Sequence, residues 1–269
     1  MSNSLSKLPV GVFDSGVGGL TIVRAIRKTL PHESILYFGD IARLPYGTKS
    51  REQIQRFSEE NASFLTSLGV KALVIACNSS SSVAHSLLKR KHDFPVLDVI
   101  QPAVDEALKN TSHGRIGVLG TQATVGSGVY SKFLKQRKKS LQVFSVACPL
   151  FVPVVEEDMW LTKVGKDIIE HYLHDLKKKK VDTLILGCTH YPLLKNEIQK
   201  FMGKQVYIVD SAEPCALSLL NALKEKDLLN RQKAKAKLSI YLSDVSPHFK
   251  KVGEKFLNEK LTRLKIVRS

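Results

Sequence analysis

Short apolar runs alternate with segments of helical period along nearly the whole chain. Residues 8–13, 34–38, 70–76, 115–119, 141–147, 181–186, 206–209, 238–242 and 261–267 read as strands, too short for typical helices. Between them the apolar spacing lengthens. A helix is predicted from about Leu20 to the proline at 31. Another follows a Ser50/Gln53 capping box, with Ile54, Phe57, Phe64, Leu65 and Leu68 on one face. Further helices are expected over 83–89, from about Ala123, over 163–180, over 213–223 and over 249–257, and one from Leu193 with Pro192 in its first turn. Residues 149–158, bearing Glu156 and Glu157, read as a loop or short helix, and 96–100 as a crossing between lobes.

This alternation argues for an α/β protein of two parallel-sheet lobes facing a central cleft. A chain of 269 residues is long enough for one large or two small domains. The expected division gives residues 1–97 and 208–269 to a discontinuous first lobe and 98–207 to the second. Two strand-end pairs, Cys77/Cys188 and Asp14-Ser15/Asp210-Ser211, hint at pseudo-two-fold symmetry between them.

The polar residues at the strand ends are where the chemistry concentrates. The run LILGCTHYPLL, residues 184–194, places a thiol, a hydroxyl and an imidazole together as a strand stops. Open α/β sheets bind their ligands at such carboxyl ends. The same design occurs upstream, where VKALVIA ends in Cys77, Asn78 and the serines 79–82. A single cysteine is more often a small buried hydrophobe; two at matched positions suggest a pair acting across one cleft. The first strand ends in Asp14-Ser15 before glycines 16, 18 and 19. This turn lacks a full G-x-G-x-x-G and a P-loop lysine, so its N–H groups suit a substrate carboxylate better than a nucleotide.

Composition excludes several classes. No apolar run approaches the roughly 20 residues a membrane helix needs. The residues before the first strand lack the apolar core of a secretion signal, so a cytoplasmic protein with reduced thiols is expected. The four cysteines show no zinc-site spacing, and no metal is expected. The net charge of +16 gathers at 89–92, 135–139, 177–180 and 231–237, with few aromatics between. That pattern reads as solvated basic faces, giving nonspecific adhesion to polyanions and attraction of an anionic substrate.

Taken in order, the fragments Phe13-Asp14-Ser15-Gly16 with Gly18-Gly19, Tyr37-Phe38-Gly39-Asp40, Pro45-Tyr46-Gly47, Cys77-Asn78, residues 187–194 and Val209-Asp210-Ser211 resemble the glutamate racemases, cofactor-independent amino-acid racemases with two cysteines. The resemblance runs from about residue 8 through the tail, which it also returns to the first lobe. It implies that Cys77 and Cys188 are acid/base thiols on opposite faces of the substrate α-carbon. Asp14 and His190 would assist them, with Glu156 a further helper. Ser15, Tyr46, Gly47, Asn78, Ser79, Thr121 and Thr189, together with Asp14 and His190, would bind L- or D-glutamate. The residues themselves leave blander roles open, a surface carboxylate for Glu156 and helix caps for Thr121 or Ser79. No pyridoxal phosphate or other cofactor is implied. A homodimer and a supply of D-glutamate to peptidoglycan are. The chain departs from the family pattern at Ser79, commonly threonine, and at Asp158, where glycine commonly follows two glutamates.

Three other functions fit parts of the sequence. A related racemase acting on aspartate is the nearest, although His190 favours glutamate. A thiol hydrolase could use Cys188 with His190, but residues so close in sequence seldom form such a pair, and Cys77 would go unexplained. A basic nucleic-acid-binding protein accounts for the charge and not for the strand ends.

Overall fold

The apolar runs fold as buried parallel strands in the computed structural model, which describes residues 2–232, 236–245, 247–261 and 264–267. The chain passes through α1 (Ser2–Leu5), β1 (Val10–Asp14), α2 (Leu20–Thr29), β2 (Ile35–Gly39), α3 (Arg51–Ser67), β3 (Ala72–Ile75), α4 (Asn78–Lys91) and β4 (Val96–Asp98). It continues through α5 (Ile100–Asn110), β5 (Arg115–Gly120), α6 (Gln122–Gly126), α7 (Val129–Arg137), β6 (Gln142–Ala147), α8 (Phe151–Glu156), α9 (Lys163–Lys178), β7 (Thr183–Gly187), α10 (Lys195–Met202) and β8 (Tyr207–Asp210). Then come α11 (Ala212–Glu225), β9 (Leu238–Leu242), α12 (Pro247–Leu257) and β10 (Leu264–Ile266).

Two sheets result, one ordered β10-β9-β2-β1-β3-β4 and the other β6-β5-β7-β8, with every described pairing parallel. The order β2-β1-β3-β4 recurs as β6-β5-β7-β8, so the lobes share one topology. In each lobe the chain reverses direction about its first strand. That puts a ligand crevice at the carboxyl ends of β1 and β3 in one lobe and of β5 and β7 in the other. Strands β1, β3 and β7 are buried along their whole length, as parallel strands covered on both faces must be. The main apolar core runs continuously from Val10 in the first lobe to Val209 in the second, and a second cluster fills the other face of the larger sheet.

Several expectations shift. β4 lies in the first sheet and β8 in the second, so the strands place the crossings after Asp98 and after Asp210 rather than at 97/98 and 207/208. The topology therefore pairs Asp210 with Asp98 and not with Asp14. Each caps the backbone two residues on: Asp98 Oδ1 accepts from Ile100 N at 2.6 Å and Asp210 Oδ1 from Ala212 N at 3.0 Å. Leu68 is 41% exposed, because α3 has already ended. Pro192 opens only a 3₁₀ turn, Tyr191–Leu194, before α10 begins. Residues 233–235 of the basic stretch and 262–263 of the last expected strand lie outside the described residues. No helix among the described residues is long and apolar enough to cross a membrane.

Candidate active site

Cys77 is the residue before α4, in extended conformation, with the first turn of a 14-residue helix beyond it. Its thiol is buried and donates to Ser15 Oγ at 3.7 Å. Burial, aided by the negative charge of Asp14, pushes it up to about 11, against stabilising contacts from the Ser80 N–H and the Ser15 and Ser80 hydroxyls. Asp14 is wholly buried behind Ser15. Its Oδ2 accepts from the N–H groups of Gly16, at 3.1 Å, and Gly19, at 3.0 Å. The glycine turn is thus filled by the protein's own carboxylate, which corrects the expectation of a substrate seat there. Burial raises the Asp14 pKa, while the His190 charge and these N–H groups hold it down.

Cys188 follows Gly187 at the end of β7, the position in the second lobe that Cys77 has in the first. No long helix starts behind it, only the 3₁₀ turn. Its Sγ lies 3.9 Å from His190 Nδ1, and His190 Nε2 lies 3.2 Å from Glu156 Oε1. Residues two apart therefore do pair here, because the tight turn at 188–190 folds the imidazole back. Burial opposes a charge on His190, but hydrogen bonds to Cys188 and Glu156 outweigh it and raise the imidazole to about 10. Thr189 Oγ1 reaches across the cleft to Asp14 Oδ1 at 3.4 Å.

Both thiols line one cavity of about 400 Å³ between the lobes. Ser15, Tyr46, Gly47, Asn78, Ser79, Thr121, Thr189, His190 and Glu156 line it as well; Asp14 stands behind the wall. Ser79 Oγ and Thr121 Oγ1 meet across the cleft at 2.9 Å. Thr121 also caps α6, its side chain accepting from Thr124 N at 3.2 Å. Gly47 packs so closely on Thr121 that a Cβ would fall 2.6 Å from the threonine Cβ. The Tyr46 hydroxyl is directed away, donating to Asp40 and accepting from Asn61 Nδ2 at 3.0 Å. Tyr46 therefore lines the cavity with its hydroxyl committed to Asp40 and Asn61. No Lys or Arg lines the space, so the basic surface acts on a ligand only at a distance. No cluster of His, Cys, Asp and Glu among the described residues could hold a metal ion.

Sequence reasoning missed Cys148, a third thiol on the cavity wall, held well above its ordinary pKa by burial and by Cys188. A signal existed: Cys148 directly follows the apolar run that became β6. It also missed Tyr130, whose hydroxyl bonds Asn78 from the other lobe. Nothing in the residues around Tyr130 marks that contact.

A profile of the Asp/Glu/Hydantoin racemase family matches residues 20–217. A glutamate racemase of Aquifex aeolicus is 47% identical over 94% of this chain and 96% of its own. The crystal structure of the Francisella tularensis glutamate racemase in complex with D-glutamate superposes with a TM-score of 0.92 at 39% identity, covering 97% of this chain and 98% of that one. The glutamate racemase isoform RacE1 of Bacillus anthracis gives 0.93 at 39% identity, over 97% of each chain.

Proposed function

The chain belongs to the glutamate racemases of the Asp/Glu/Hydantoin racemase family, and from that premise we propose that Cys77 and Cys188 move the α-proton of glutamate between opposite faces of the carbon without a cofactor. The observation that carries this is the pair of thiols at equivalent strand ends on one cavity. Racemization needs one base and one acid at the start. Cys77, pushed up to about 11, starts as the protonated thiol. Cys188 lies beside an imidazole that favours its charged form, and that charge offsets a thiolate. One sulfur takes the α-proton while the other delivers its own proton to the opposite face. Afterwards the two have exchanged states, and the enzyme is ready for the reverse reaction.

The difficult species is the carbanion beside the α-carboxylate. The first turn of α4 leaves N–H groups without intrahelical partners. These, with the Ser15, Ser79, Thr121 and Thr189 hydroxyls and the Asn78 amide, supply neutral donors for the carboxylates in a largely enclosed site. Gly47, packed against Thr121, and Tyr46 complete the wall beside it. Asp14 acts from behind, on the Cys77 side, and Glu156 holds the His190 proton on the other. The D-glutamate bound by the Francisella relative supports glutamate as the substrate. Family membership supports, as part of the same proposal, a product that serves peptidoglycan synthesis in the cytoplasm and a homodimer as the active form.

The deciding experiment incubates the protein, free of pyridoxal phosphate, with L-glutamate in D₂O. Proton NMR follows loss of the α-proton and chiral chromatography follows D-glutamate. Both should appear with the wild type and vanish with Cys77→Ala and with Cys188→Ala. Exchange of aspartate in place of glutamate would change the substrate, and full activity in Cys77→Ala would end the two-thiol mechanism.

A further inference from the structure

Asp158 follows the last turn of α8 with φ at +61°, a left-handed conformation that side chains other than Asn and Asp seldom adopt. Around it Met159 N donates to Val154 O at 2.8 Å and Glu157 N to Pro153 O at 2.9 Å, closing the helix that carries Glu156. The Asp158 carboxylate pairs with lysines of α12. Lys255 Nζ lies 2.7 Å from Oδ1 and 2.6 Å from Oδ2, and Lys251 Nζ 3.3 Å from Oδ2. The same Lys255 ammonium sits 4.8 Å from the centroid of the Trp160 ring. Next along α12, Phe256 is fully buried with its ring edge-on to His190, centroids 5.6 Å apart.

One helix thus contacts His190 directly, through Phe256, and reaches the turn that follows Glu156 through the Lys255–Asp158 pair. The strands flanking α12 are in the six-stranded sheet, whereas Asp158, Glu156 and His190 belong to the other lobe. Asp158 and Lys255 have side chains 33% and 37% exposed, so their ion pair adds little to folding stability. What it can do is hold position, and proton transfer is sensitive to displacements of an ångström or less.

We propose that Asp158 and Lys255 are positioning residues of the racemase reaction, forming a cross-lobe clasp that keeps Glu156 on His190 and makes the Cys188 side competent only when the lobes are closed. This rests on the two-thiol reading above. Opening the cleft separates α12 from the 156–160 turn, and with it the support of the Glu156 carboxylate. The clasp thereby ties the chemistry to the closed, water-poor state in which a carbanion survives.

The test compares Asp158→Asn, which keeps the left-handed turn and loses the charge, with Lys255→Met, Lys255→Arg and the double variant Asp158→Asn/Lys255→Met. For each, kcat and KM are measured with both enantiomers, along with Tm and the pH profile of kcat/KM. Asp158→Asn and Lys255→Met should each lower kcat about tenfold with KM within about twofold. The double variant should be no worse than either, and Lys255→Arg should stay within about twofold of wild type. The alkaline limb should move to lower pH, since among the described residues the charged groups that act on His190 are Glu156, Cys188 and Asp14, and α12 offers it the apolar Phe256. Three results overturn the clasp: kcat unchanged in both single variants, losses that follow Tm with no movement of the limb, or Lys255→Arg as impaired as Lys255→Met. Wild-type racemization by Cys188→Ala would instead overturn the underlying two-thiol reading.

Discussion

The Tyr130 hydroxyl donates a 2.7 Å hydrogen bond to Oδ1 of Asn78, joining α7 of one lobe to the first residue of α4 in the other. Burial, reinforced by the charges of Asp98 and Cys188, keeps this phenol protonated far into the alkaline range. The bond fixes which way the Asn78 amide points. Its Nδ2 is left buried and without a hydrogen-bond partner among the described residues, at the wall of the cavity. An unmet buried donor costs about 1–3 kcal/mol, which a substrate oxygen would recover.

Tyr130→Phe frees the amide to rotate, so part of that recovered energy is lost on binding. KM for glutamate is expected to rise about five- to tenfold, roughly 1 kcal/mol, with a smaller change in kcat. Steady-state kinetics with each enantiomer checks this. An unchanged KM would mean that the Asn78 amide does not bind substrate.

Stability should fall on the alkaline side. In the folded protein His190 is raised from 6.5 to about 10 and Cys77 from 9.0 to about 11. Both groups hold their protons more tightly folded than unfolded. The His190 contribution is therefore complete below about pH 6.5 and lost as pH rises through about 10; that of Cys77 is complete below about 9 and lost through about 11. Between its two values each group contributes a slope of about 1.4 kcal/mol per pH unit. Urea midpoints measured from pH 6 upward should decline in this order. His190→Asn should flatten the earlier part and Cys77→Ser the later. A wild-type profile that stays level to pH 10 contradicts the imidazolium reading.

At the end of the first sheet away from the cleft, Lys71 and Glu33 form a fully buried ion pair, Nζ to Oε2 at 2.5 Å. Lys71 Nζ also donates to Ser6 O at 2.5 Å, and Glu33 Oε1 accepts from Asn230 N at 2.8 Å, so the pair ties down two chain segments. Burial holds the lysine below its ordinary pKa, and Glu33 offsets part of that effect. Lys71→Met strands the Glu33 carboxylate and should cost about 3–5 kcal/mol in chemical denaturation. Lys71→Met/Glu33→Leu should recover much of the loss. Racemization by the folded protein should be unaffected in both, because nothing in the cavity touches this pair.

Much of this was legible in the chain because it depends on local pattern. The strands at 181–186 and 70–76 and the thiols that end them follow from short apolar runs broken by polar residues, and the return of the tail to the first sheet was anticipated. What escaped the sequence depended on contacts between distant residues. The serines 79–82 disfavour helix locally, yet α4 starts at Asn78 because its first turn is packed under the cleft. Asp14 fills the glycine turn, and Tyr46 spends its hydroxyl on Asp40, because their partners arrive only with folding. Asp158, which looked like a departure from pattern, holds a left-handed turn and meets lysines almost a hundred residues later.

Gly18 shows how closely the two halves of the site are fitted. It lies on the first-lobe turn, yet a Cβ there would fall 2.4 Å from Thr189 Oγ1 and 2.8 Å from His190 Nδ1, both in the second lobe. Its backbone is not among the left-handed positions, so alanine at 18 meets no conformational strain, only these two side chains. The nearer is the hydroxyl that bonds Asp14, and the other is the nitrogen that faces Cys188. Gly18→Ala must therefore push Thr189 and His190 aside or hold the lobes apart. The first response draws His190 from Cys188 and the second draws the Cys188 side from Cys77 across the cleft; a displacement of an ångström or so in either is enough to cost on the order of a hundredfold in kcat. The sheets and cores are not involved, so Tm should fall by only a few degrees, in keeping with overpacking at one point of an interface, about 1–2 kcal/mol. Measuring kcat and Tm on the same preparation separates the two effects. A variant that keeps wild-type kcat would show that the closed arrangement of Gly18 and Thr189 is not the one in which the proton moves.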